Sequence, residues 1–71
     1  MVNLVLRRLI DEGRTSVRAI EEVTGRGEST VYRWLAGQTL PDVEDVYRML
    51  RELPGEGVRQ ELLSALLADL P

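Results

Sequence analysis

The chain has 71 residues, 44% hydrophobic and 30% charged, with nine basic and twelve acidic side chains and a formal net charge of −3. That length holds one small domain, and such a domain buries only about 60% of the surface its unfolded chain exposes. There is no Cys and no His, which excludes disulfides, thiol nucleophiles, Cys/His zinc sites and the commonest catalytic base.

No run alternates with a period of two; every periodic segment repeats near 3.6. Val2, Val5, Leu6, Leu9 and Ile10 lie on one helical stripe, which Gly13 terminates. Thr15 or Ser16 caps a second helix carrying Val17, Ile20 and Val23 and stopping at Thr24-Gly25. In the break Gly25-Arg26-Gly27, two glycines allow a sharp, partly left-handed turn. A third helix opens at Glu28, Ser29 and Thr30, turns Val31, Trp34 and Leu35 inward, and is closed by Gly37. Gln38 to Pro41 is a connector. Asp42 caps a fourth helix, with Val43, Val46, Tyr47, Leu50 and Leu53 as its stripe and Glu44 and Asp45 in its first turn. Pro54-Gly55 breaks the chain, and a fifth helix runs from about Glu56 to Asp69.

The start, Met1 to Ile10, is short and holds Arg7 and Arg8 within it, so it does not read as a signal peptide. No run approaches 18 apolar residues. The expectation is one all-α domain over residues 1–71, five short helices, cytoplasmic and without a membrane partner.

Residues 16–37 carry the most information. Two short helices meet at a tight glycine turn, and the second begins with small hydroxyl side chains. That is the layout of a helix-turn-helix, whose second helix enters the major groove of DNA. Tyr32 and Arg33 fall opposite the inward Val31, Trp34 and Leu35. Glu28, Ser29, Thr30, Tyr32 and Arg33 are the candidate base contacts; Glu28 can accept from cytosine, and Arg33 can bond guanine bidentately. Arg14, Ser16, Arg18, Arg26 and Gln38 are the candidate phosphate contacts. Each has a plainer reading. The cations can be a solvated face, Glu28 to Thr30 can simply cap their helix, and the Tyr32 ring can lie over a neighbouring helix. Trp34 reads as core.

Ser16-Val17-Arg18-Ala19-Ile20-Glu21-Glu22-Val23-Thr24-Gly25, followed by Glu28-Ser29-Thr30-Val31-Tyr32-Arg33-Trp34-Leu35-Ala36-Gly37, resembles the helix-turn-helix of the XRE, or Cro and lambda-repressor-like, family. Pro41 and the helix after it match the family's next element, and the resemblance covers about residues 2–53. It implies a five-helix, lambda-repressor-like DNA-binding domain and a sequence-specific regulator of transcription, often dimeric on palindromic sites. Two positions depart from the pattern. The family usually has a small residue where this chain has Glu21 and an apolar one where it has Arg26; an ion pair between Glu21 and Arg26 would reconcile both.

On the fifth helix Leu62, Leu63, Leu66, Leu67 and Leu70 form a stripe too wide for so small a core, which makes it a candidate homodimer interface. The alternative is that one side packs on the first helix and the rest closes the core. No paired carboxylate site or phosphate-binding glycine loop is present, so neither an enzyme nor a cofactor or metal is expected. The acidic total, with an isoelectric point of about 4.8, runs against the basic footprint of a DNA binder. It is unevenly spread, however. Residues 1–41 hold six Arg against five acids, and residues 42–71 hold three against seven. Glu21 and Arg26, with the acidity, also fit a second reading: a protein-interaction module, an antirepressor or adaptor, on a helix-turn-helix scaffold.

Overall fold

The computed structural model describes residues 1–70; Pro71 lies outside them. The described residues form five helices and no strand: α1 (Val2–Asp11), α2 (Val17–Thr24), α3 (Glu28–Leu35), α4 (Val43–Glu52) and α5 (Val58–Asp69). No helix among them is long and apolar enough to cross a membrane.

Local chemistry sets the ends of α2 and α3. Ser16 is the N-cap of α2, its Oγ accepting from the Ala19 N–H at 3.1 Å. The Thr15 hydroxyl is instead buried without a partner, which decides between the two candidate caps. Gly25 ends α2 in the left-handed region at φ +72°. Thr24, buried at the last turn, ties the end down twice. Its hydroxyl donates to the Ile20 carbonyl at 2.7 Å and accepts from the Arg26 N–H at 3.3 Å. Gly27, expected to share the left-handed turn, is extended and serves as the N-cap of α3. Only one left-handed residue is needed to reverse the chain between α2 and α3.

The core is shared by all five helices. Leu6 and Leu9 of α1, Ile20 of α2, Val31 and Trp34 of α3, Met49 of α4, and Val58 and Leu62 of α5 are buried together. α1 lies against α3 and α5, while α2 lies against α3 and α4. The stripes of α1, α2 and α3 face inward as their periodicity predicts.

The stripe of α4 is rotated from the expected one. Val43 is 86% exposed and Tyr47 is 55% exposed, whereas Asp45 and Met49 are buried. The inward face is Asp45, Val46, Met49, Leu50 and Leu53. The cause is the ion pair of Asp45 with Arg26, which a capping box holds in place. The Asp45 N–H donates to Asp42 Oδ1 at 3.0 Å, and the Asp42 N–H donates to Asp45 Oδ2 at 3.1 Å. That box, with Arg26 from the turn between α2 and α3, holds Asp45 inward while Asp42 and Glu44 stay exposed. Tyr47 is left outside, with the Arg51 guanidinium 6.0 Å from its ring centre.

Helix α5 begins at Val58, later than the expected Glu56, because Gly55 (φ +115°) and Gly57 (φ +77°) turn the chain first. Its leucine stripe divides. Leu62 is only 2% exposed and belongs to the protomer's own core, and Leu66 packs partly against that core. Leu63, Leu67 and Leu70 stay exposed. The expected interface of five leucines is therefore reduced by Leu62, whose side chain is already covered by its own chain.

Candidate nucleic-acid interface

Helix α3 has two unlike faces. Val31, Trp34 and Leu35 are buried and hold it to the core, while Glu28, Ser29, Tyr32 and Arg33 are exposed and Thr30 is half-buried. Its N-cap, Gly27, offers no side-chain cap. Among the described residues the side chains of Glu28, Ser29 and Thr30 make no hydrogen bond, so none of them is spent on capping the helix. Their polar groups and the first-turn amides of α3 are open to an external acceptor or donor. Arg33 has no ion pair among the described residues. Tyr32 is 53% exposed. All five candidate base contacts thus lie on one short helix, and four of the five are open to solvent.

The candidate phosphate contacts fare unequally. Arg26 is engaged inside the molecule. Its Nε donates to Asp45 Oδ1 at 2.9 Å, and one terminal nitrogen reaches Asp45 Oδ2 and Asp42 Oδ2, both at 3.2 Å. This corrects the expected Glu21–Arg26 pair: the guanidinium reaches forward to the start of α4, not back to α2. Burial pushes the Asp45 carboxyl up. The Arg26 guanidinium and the hydrogen bond from the Asp42 N–H outweigh it and hold Asp45 below the usual carboxylate range.

Arg14 is engaged too. It pairs with Glu12 and Glu61, and it donates to the Glu56 carbonyl at 2.8 Å, tying the α1–α2 loop to the turn before α5. Arg8 shares Glu61 with it. The Glu61 carboxyl is accordingly held below its ordinary range, chiefly by the hydrogen bond from Arg8, with burial opposing and Arg14 adding to it.

Ser16 is exposed, but its Oγ is occupied in capping α2. Arg18 is 89% exposed on its side chain and meets Glu22 at 3.5 Å across one turn. A pair so open to water holds its cation weakly. Gln38 is exposed in the connector, with its backbone N–H on the Arg33 carbonyl at 2.9 Å and its side chain unpaired among the described residues.

Three features escaped the sequence. Asp45 reads as a first-turn carboxylate favoured by the helix dipole, and only the approach of Arg26, nineteen residues earlier, makes it a buried anchor. Thr24 reads as a helix-end residue, and its two hydrogen bonds follow from the turn's geometry. A third feature is an exposed apolar group of Leu40, Val43 and Tyr47 along the connector and the outer face of α4. Comparison with models of known protein families, with curated proteins and with solved structures finds no match.

Proposed function

We propose that this chain is a cytoplasmic, sequence-specific regulator of transcription that binds double-stranded DNA, of the XRE or phage-repressor type. Its α3 helix would lie in the major groove. The observation that carries this reading is the division of α3 into a buried apolar face and an open face of Glu28, Ser29, Tyr32 and Arg33. A recognition helix needs that division, rigid behind and polar in front. Arg33, free of internal partners, is the residue for guanine, and Glu28 the one for cytosine. Arg18 and Gln38 are the proposed phosphate contacts at the two edges. Two copies joined through α5 would place their recognition helices about 34 Å apart, one turn of DNA.

Selection of bound duplexes from a random-sequence DNA pool tests this directly. A recovered consensus supports the reading, and Arg33→Ala is expected to lose preference for it while keeping the parent's helical content and melting temperature. Failure of the unmodified protein to retain any duplex at low salt overturns the reading.

One observation favours the interaction-module reading. Arg14 and Arg26 are neutralised internally, and the connector and the start of α4 offer exposed Leu40 and Val43 beside Asp42 and Glu44. Under that reading the pool yields no consensus, and Leu40→Ser, not Arg33→Ala, disrupts the partner complex.

A further inference from the structure

Seven of the nine arginines have an internal partner. Arg8, Arg14, Arg18, Arg26 and Arg48 meet carboxylates. Arg59 donates to the carbonyls of Leu50 and Arg51, and Arg51 lies over the Tyr47 ring. Among the described residues only Arg7 and Arg33 have none. Arg33 belongs to the recognition helix. Arg7 lies outside the helix-turn-helix, on α1, and the motif gives no reason to single it out.

The fold brings Arg7 to the same side as α3. An open groove of about 600 Å³ runs between α1, the start of α2 and α3. Its floor is apolar, with Ile10, Val17 and Leu35, and its rim carries Arg7, Asp11 and Tyr32. Asp11 stands one turn beyond Arg7 on α1 but makes no ion pair with it. The groove therefore joins an unpartnered guanidinium to the phenol of Tyr32, which is the residue before Arg33. Both are exposed, and both can donate to a phosphate oxygen.

We infer that Arg7 binds a backbone phosphate of the DNA at the rim of this groove, with Tyr32 as its neighbouring donor. This inference rests on the DNA-binding reading. It makes α1 a second point of attachment beside the recognition helix. A phosphate contact positions the protein without reading sequence. Its loss is thus expected to weaken binding to every duplex by a similar factor.

The test is titration of a selected duplex and of a random-sequence duplex across a salt series, with Arg7→Ala, Arg7→Lys and Arg48→Ala beside the unmodified protein. Arg48 is on α4, paired with Glu44, and serves as a control for the loss of one charge elsewhere. Arg7→Ala is expected to lower affinity for both duplexes about tenfold. It is also expected to reduce the slope of log K against log salt by about one. Arg7→Lys keeps the slope and Arg48→Ala leaves both quantities unchanged. Circular dichroism confirms that each variant is folded. If the unmodified protein binds but Arg7→Ala keeps its affinity and slope, or if Arg48→Ala falls as far, this inference is overturned and the DNA-binding reading stands. If the unmodified protein binds no duplex, both fall.

Discussion

Arg26 and Asp45 show how one pair can tie two elements together. The carboxylate is almost wholly buried, yet it accepts from the Arg26 Nε, from a terminal nitrogen of Arg26 and from the Asp42 N–H. A buried charge is tolerable only when its acceptor sites are filled in this way. The pair also joins the turn before α3 to the first turn of α4, so the angle at which α3 leaves the turn is set from both sides. Asp45→Ala leaves the Asp42 N–H and part of the Arg26 guanidinium without their acceptor. Because Arg26 is about half exposed, water recovers some of the loss, and the expected cost is about 1–2 kcal/mol by urea denaturation. The effect depends on pH with a definite sign. Asp45 is held below the ordinary range in the folded chain, so the unfolded chain takes up the proton first as pH falls. The stabilisation is complete above a pH of about 4 and is lost as pH drops through the folded value. Asp45→Asn should therefore be less stable than the parent at neutral pH, with the gap closing in acid. A gap that stays constant through the acid range would show that packing, not charge, is what the substitution removes.

Among the elements, the turns are the places where a single backbone position is decisive. Gly25 and Gly55 both have positive φ, but their surroundings differ. A Cβ at Gly25 would meet nothing, whereas one at Gly55 would sit 2.7 Å from the Arg14 carbonyl oxygen and 2.8 Å from a Val58 methyl. Gly25→Ala should cost only the left-handed backbone penalty, about 1–2 kcal/mol. Gly55→Ala should cost more, because the loop carrying Arg14 has to move and the Arg14–Glu61 contact with it. Thermal melts of the two variants rank them, and equal losses would mean that the α1–α2 loop is free to shift. The same long-range contacts explain which elements were legible in the sequence. The stripes of α1, α2 and α3 are unambiguous because no other apolar set on those helices competes with them. On α4, Val43 and Tyr47 complete a plausible stripe at helical spacing. What turns them outward is a polar pair between residues nineteen apart, to which periodicity is blind. The candidate interface was legible to the same degree. The two faces of α3 follow from its own residues. Which arginines are free follows from carboxylates elsewhere in the chain: Arg14 is taken by Glu61 and Arg26 by Asp45, while Arg7 is left over.

For the whole molecule, size and charge bear on how the proposed binding would work. The backbone spans 28 Å along its longest axis, less than the roughly 34 Å between successive turns of a DNA groove. In the proposed complex one copy would therefore reach one major-groove face. With most of its arginines neutralised by its own carboxylates, one copy would also bring few phosphate contacts, and affinity would rise steeply only if two copies bound together. The surface proposed for pairing is the outer side of α5, where Leu63, Leu67 and Leu70 recur at helical spacing and remain exposed while Leu62 closes the core. Their exposure makes them separable from folding. Leu67→Glu places a carboxylate at the middle of that stripe, at a site 61% exposed, so the helical spectrum and melting temperature of a single copy should be nearly unchanged. Two such carboxylates facing each other across a symmetric interface would be buried without partners, which a contact of this size cannot sustain. Sedimentation velocity is expected to show the unmodified chain passing from monomer to dimer as concentration rises, and Leu67→Glu remaining monomeric throughout. In the DNA titration the variant should bind a single half-site as the parent does but lose the tight binding to a two-fold symmetric site. An unmodified chain that sediments as a monomer at every concentration, with or without a symmetric duplex, would remove α5 as the joining surface and leave the single α3 helix to account for whatever binding is measured.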